Sequence, residues 1–128
     1  MLGTEKLYTA AQARALDHCA IHEHHIPGIT LMSRAADAAF RYLLATWPAP
    51  ECLQVMCGTG NNGGDGFLIA DLAHKRGIDV TVFQLGDAGK ISGDALLARQ
   101  QALAHGVKIV PFATAALAPA GVIVDAML

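Results

Sequence analysis

Apolar positions recur along the chain with two different periods, and the switching between them sets the expected order of elements. Leu31, Ala35, Ala38, Ala39, Tyr42 and Leu43 repeat at helical spacing, predicting a helix from Thr30 or Leu31 to Thr46 that Trp47-Pro48 ends. Upstream, Thr9-Ala10-Ala11-Gln12 has the form of a capping box, so an earlier helix is expected from there to about His25, stopped by Pro27-Gly28. Leu53-Gln54-Val55-Met56-Cys57 then reads as a short strand, and Phe67 to Arg76 as a helix closed by Gly77. Asp79 to Gln84 is β-branched and bounded by glycines, which predicts a second strand. A helix over roughly Gly93 to His105, with Ser92 as N-cap, precedes strands at Lys108-Ile109-Val110 and Gly121 to Asp125.

Strands alternating with helices imply parallel pairing through right-handed crossovers. The expected fold is therefore α/β, a three-layer, Rossmann-like doubly wound sheet that is mainly parallel. Residues 1–50 read as a helical N-terminal segment and 51–128 as the βαβ core of one domain. In such sheets ligands sit at the carboxyl ends of strands, where the strand order reverses. Asp125 and the residues after Cys57 each follow an apolar strand, so both are expected at that edge.

Between the first strand and its helix lies Gly58-Thr59-Gly60-Asn61-Asn62-Gly63-Gly64-Asp65-Gly66, five glycines in nine residues. Such a loop is expected to adopt positive φ repeatedly and to offer bare N–H groups to an anion, in the strand, loop, helix order that cradles phosphate. Gly58 to Gly63 satisfies the G-x-G-x-x-G fingerprint. A standard dinucleotide site would also carry a ribose-binding acid at the end of the next strand, which here reads Val82-Phe83-Gln84. The continuation through Asn61, Asn62 and Asp65 adds side-chain oxygens, which suit a hard cation beside the anion. Asp65 reads either as a helix cap or as a ligand contact. Asp125 reads either as the cap of a following turn or as a carboxylate that holds an ion, orients substrate or moves a proton.

Composition narrows the partners. With 128 residues, 53% of them hydrophobic and 16% charged, the chain is globular and is one domain or part of one. A formal net charge of −2 leaves no general basic surface for nucleic acid. The mean hydropathy of +0.38 is high, yet no apolar run reaches the roughly 18 residues of a membrane helix. Three cysteines without Cys-x-x-Cys spacing, and an N-terminus without an apolar signal segment, fit a reducing, cytoplasmic setting. Cys52 and Cys57 read as ordinary buried thiols. His18, His22 and His25 share a stripe with Arg14 and lack the His-Glu-x-x-His pattern, so a solvated face is expected there rather than a metal site.

At the glycine stretch the sequence resembles the YjeF N-terminal family, the NAD(P)HX epimerases. The resemblance also rests on Val122-Ile123-Val124-Asp125-Ala126-Met127-Leu128 and on Pro27-Gly28-Ile29-Thr30-Leu31-Met32-Ser33-Arg34-Ala35-Ala36. It implies a Rossmann-like fold and interconversion of the R and S epimers of hydrated NADH or NADPH. That repair reaction feeds an ATP- or ADP-dependent dehydratase, fused or separate, and the family tends toward homodimers. Carried over by position, Asn61, Asn62, Gly63, Gly64 and Asp65 contact the phosphate region of the hydrated nucleotide, and Asn62 and Asp125 hold a potassium ion. An acid–base role for Asp125 is a further expectation, because epimerisation at a carbon bearing a hydroxyl beside nitrogen needs proton transfer.

The chain departs from the family pattern at Ser33, where a Glu is expected, and at Ala36, where Gly is usual. In the family the Asp-Ala-x-Leu segment continues into another Gly-Thr-Gly turn and further strands. The chain is thus expected to present the fold truncated at its C-terminus, inactive by itself. The alternative is a non-catalytic module of the same fold used for protein binding or scaffolding, against which the joint presence of Asn62, Asp65 and Asp125 argues.

Overall fold

The computed structural model describes residues 26–113 and 121–128. The helix expected from Thr9 to His25, with its capping box and histidines, lies outside the described residues. The described elements run α1 (Gly28–Thr46), β1 (Cys52–Cys57), α2 (Asn61–Lys75), β2 (Asp79–Gln84), a 3-10 turn (Ala88–Lys90), α3 (Gly93–Ala104), β3 (Lys108–Pro111) and β4 (Val122–Ala126).

Helix α1 starts earlier than its apolar spacing suggests, because Pro27 occupies the N-cap with φ −57° and its carbonyl accepts from Thr30 N and Leu31 N. Proline suits this place, having a preset φ and no amide to satisfy. Gly77, at φ +79°, ends α2 as predicted. Ser92 takes the N-cap position of α3 by its backbone, without a side-chain capping bond.

The larger difference is at the start of α2. The nine-residue glycine stretch is a short turn, 58–60, followed by helix from Asn61 onward. None of its glycines takes a positive φ; among the described residues the glycines that do are Gly77, Gly86, Gly93, Gly106 and Gly121. Asn61 and Asn62 are helical too, the first two residues of α2. Local propensity hides this helix, since three glycines in its first half cost about 3 kcal/mol against alanine. Burial overrides that cost. Phe67, Leu68, Ile69 and Ala70 are consecutively buried, so the helix is enclosed all round. A Cβ at Gly66 would lie 2.7 Å from both the Ala126 Cβ and the Cys57 Sγ, so the missing side chain is what lets the helix lie on the sheet. At Gly64 a Cβ would lie 2.8 Å from the Met32 Sδ and 3.0 Å from the Ala95 Cα, the point where α1 and α3 meet α2.

The four strands are parallel, in the order β3-β2-β1-β4. The chain fills β1, β2 and β3 in one direction and then returns to the far side of β1, so the strand order reverses between β1 and β4. Leu53, Val55, Val82 and Phe67, all under 2% exposed, form the centre of the core between sheet and α2. Burying each such side chain is worth about 1.5–3 kcal/mol. Strand β4 lies at the sheet edge, where Ile123 is 53% exposed.

One charged group is buried in this layer. Asp71 of α2 is 1% exposed; its Oδ2 accepts from Gln101 Nε2 at 3.0 Å and lies 3.3 Å from Lys75 Nζ, while its Oδ1 is 2.8 Å from His105 Nδ1. Burial pulls the Asp71 carboxyl upward, but the hydrogen bonds from Gln101, His105 and Lys75 and the Lys75 charge outweigh it, leaving the group below its ordinary 3.8. The unfolded chain therefore binds more protons than the folded one in acid. Asp71 stabilises the fold at neutral pH, and that contribution fades as the pH falls below the ordinary aspartate range. Asp71→Asn is expected to cost about 1–3 kcal/mol at pH 7. Urea unfolding checks this: the wild-type advantage should shrink at pH 3, and an equal difference at both pH values refutes the charge as its source.

Candidate functional site

The site is built where β1 and β4 end side by side. After Cys57 the Gly58 amide donates to the Ala126 carbonyl at 2.9 Å, carrying the β1–β4 pairing one residue past the strand. A Cβ at Gly58 would sit 2.5 Å from the Met127 carbonyl oxygen, and one at Gly60 would sit 3.5 Å from that of Leu128. The turn thus lies directly against the chain leaving β4. Gly63 then folds back onto Gly58, so closely that a Cβ there would overlap the Gly58 carbonyl oxygen.

This packing aims the end of α2 at the strand-order reversal. The first intrahelical bond runs from Gly64 N to Gly60 O, so the amides of Asn61, Asn62 and Gly63 have no acceptor within the helix. With the helix dipole behind them they favour an anion by about 0.3–1 kcal/mol per contact. Asn61 is exposed, Asn62 and Asp65 are half-buried, and Gly63 and Gly64 are buried. The N-cap position weighed for Asp65 is corrected: Gly60 is the N-cap, and Asp65 is the fifth residue of the helix.

Asp125 lies within β4, opposite Met56 in the register. Its neighbour Ala126 meets Gly66 of α2, so strand alternation turns Asp125 toward the other face of the sheet. It is exposed, and its Oδ1 accepts from the Met127 amide at 3.1 Å, so the turn-capping role expected of it is realised. Asn62 and Asp125 therefore approach the β1–β4 end from α2 and from the opposite face.

Two roles at this edge are not legible in the sequence. Gln84, at the end of β2, donates from Nε2 to the carbonyls of Cys57, Gly58 and Leu85. Its only signal is a carboxamide at the close of an otherwise apolar strand. Met127 and Leu128 supply the backbone wall against which the turn packs. Cys57 is fully buried and burial pushes its thiol up to about 12, so it stays protonated and offers no nucleophile, as expected of a core cysteine.

A glycine turn and an open helix N-terminus at the strand-order reversal describe many nucleotide sites; the comparisons with known proteins are more specific. A family model described as the YjeF-related protein N-terminus matches residues 28–128. The chain belongs to the YjeF N-terminal family. Within it, the bifunctional NAD(P)H-hydrate repair enzyme Nnr of Coxiella burnetii is 43% identical over 122 residues, 95% of this chain and 25% of that enzyme. The NAD(P)H-hydrate epimerase of Limosilactobacillus fermentum is 41% identical over 91 residues, 71% of this chain and 44% of that protein. The chain thus spans a quarter to less than half the length of these YjeF-type relatives. The crystal structure of yeast ynu0 matches 97% of this chain and 57% of its own with a TM-score of 0.80, a likeness of fold at 20% identity.

Proposed function

We propose that this protein epimerises the R and S forms of hydrated NADH and NADPH, returning the unusable epimer to nicotinamide nucleotide repair. The observation that carries this is the YjeF N-terminal match over residues 28–128, together with relatives named NAD(P)H-hydrate epimerase. The geometry supports it, since the amides of Asn61, Asn62 and Gly63 offer an anion site at the strand-order reversal. In this reading the segment Asn61, Asn62, Gly63, Gly64 and Asp65 takes the phosphate region of the hydrated nucleotide.

Among the described residues no group of three or more His, Cys, Asp or Glu side chains gathers to hold a metal ion. The groups present at this edge are oxygens, the Asn62 carboxamide and the Asp125 carboxylate, a donor set that suits a hard, weakly held cation. In this proposal they hold potassium, which when bound supplies positive charge beside the nucleotide phosphates. Asp125 has one oxygen tied to the Met127 amide, which orients its carboxylate. We assign it the proton transfer that reversible loss of the hydroxyl, or ring opening, requires.

The product epimer is consumed by an ATP- or ADP-dependent dehydratase, fused or separate; fusion fits the bifunctional name of the Coxiella relative. A homodimer in the cytoplasm completes the proposal. Among the described residues no helix is long and apolar enough to cross a membrane. The test uses the complete protein, an epimer mixture of NADHX and an S-specific dehydratase. Consumption of the R epimer should outpace its spontaneous epimerisation, and decay at the spontaneous rate refutes the assignment.

A further inference from the structure

Gln84 is 8% exposed and ends β2 beside the Gly58 turn. Its Nε2 lies 2.9 Å from the Leu85 carbonyl oxygen, 3.1 Å from that of Cys57 and 3.3 Å from that of Gly58. A carboxamide nitrogen carries two hydrogens, so three acceptors share two donors and one bond is bifurcated. Three carbonyls also decide which end of the side chain is nitrogen, because an oxygen there would face three other oxygens. Oε1, in contrast, is buried without a hydrogen-bond partner among the described residues. An apolar side chain would fill this place without stranding an acceptor, so the three donated bonds are what the glutamine contributes.

Those bonds converge on the residue that sets the turn. The Gly58 amide is held by Ala126, its carbonyl is the surface on which Gly63 packs, and Gln84 grips that carbonyl and the preceding one. The Leu85 amide adds a second donor to Cys57 O at 2.9 Å, so the end of β2 clamps the end of β1 through both backbone and side chain. Where a standard dinucleotide site has a ribose-binding acid, this chain commits its side-chain donor to its own backbone.

We propose that Gln84 is a positioning residue of the nucleotide site, holding the Cys57 and Gly58 carbonyls so that the Asn61, Asn62 and Gly63 amides stay aimed at the ligand. The ligand's identity rests on the epimerase reading; the clamp does not. In the complete protein, Gln84→Met keeps the volume and removes the donors. Its KM for hydrated NADH is expected to rise about tenfold, with kcat within about twofold of wild type. Exchange of the hydrogen-bonded Gly58 and Gly64 amides, which flank the turn, should accelerate about tenfold while the Val55 and Val82 amides keep their protection. Unchanged exchange at Gly58 and Gly64, or a uniform increase across the sheet, overturns the proposal. If the wild-type protein itself fails to accelerate epimerisation, the epimerase reading falls and the exchange pattern still decides the clamp. Should the variant not fold, the wild-type Gln84 side-chain amide decides: its protons should exchange at least about tenfold more slowly than those of exposed Gln100, and equal rates overturn the proposal.

Discussion

Gly63→Ala is expected to destabilise the protein by about 2–3 kcal/mol and to abolish nucleotide binding. Its added methyl would be driven into the Gly58 carbonyl oxygen, a backbone atom gripped by Gln84 in a residue whose amide is tied to Ala126, so it has no rotamer through which to give way. Alanine's better helix propensity returns only about 1 kcal/mol, so the collision wins. Because the clash sits between the turn and the first turn of α2, relief of it would move the Asn61 and Asn62 amides proposed to hold the nucleotide. Gly60→Ala is the contrasting case: its Cβ would meet the Leu128 carbonyl oxygen at 3.5 Å, an ordinary contact, and the backbone there is extended at φ −93°. That variant should stay within about 0.5 kcal/mol of wild type. Thermal unfolding and a nucleotide titration of both variants check the pair, and equal tolerance at the two positions contradicts the close-approach account.

Asp125→Asn should reduce epimerase turnover by about 10²-fold or more while leaving the fold intact. The substitution keeps an oxygen able to accept from the Met127 amide, so the turn is preserved and only the charge is lost. The exposed hydrogen bond is itself worth about 1 kcal/mol at most, so unfolding curves of Asp125→Asn and Asp125→Ala should differ little from wild type. Activity of the Asn variant should also stop responding to added potassium. Wild-type turnover in Asp125→Asn reduces Asp125 to a turn residue and removes both its ion-binding and its proton-transfer assignments.

The location of the site was more legible than its construction. Apolar periodicity alone placed an edge carrying the Gly58 turn and Asp125, because strands that alternate with helices run parallel and bring their carboxyl ends to one side. The G-x-G-x-x-G spacing then marked the turn proposed to take the anion. The role of the glycines was misread as freedom to take positive φ, whereas Gly64 and Gly66 lie inside a helix and are small because Met32, Ala95, Ala126 and Cys57 press on them. Composition cannot separate these two uses of glycine, since both need the missing Cβ. The role of Gln84 is hidden for a related reason: its partners are carbonyls, which every residue carries.

Element order, parallel pairing and the position of the glycine turn after the first strand follow from this sequence by itself, because periodicity and spacing are local properties. Tertiary structure alone decided three things. It set the order β3-β2-β1-β4 that brings Gly58 against Ala126, started α2 at Asn61, and turned Gln84 onto the backbone of β1. Each depends on contacts between residues distant in the chain, where burial and backbone hydrogen bonds outweigh the local preference of a glycine-rich segment to stay a loop.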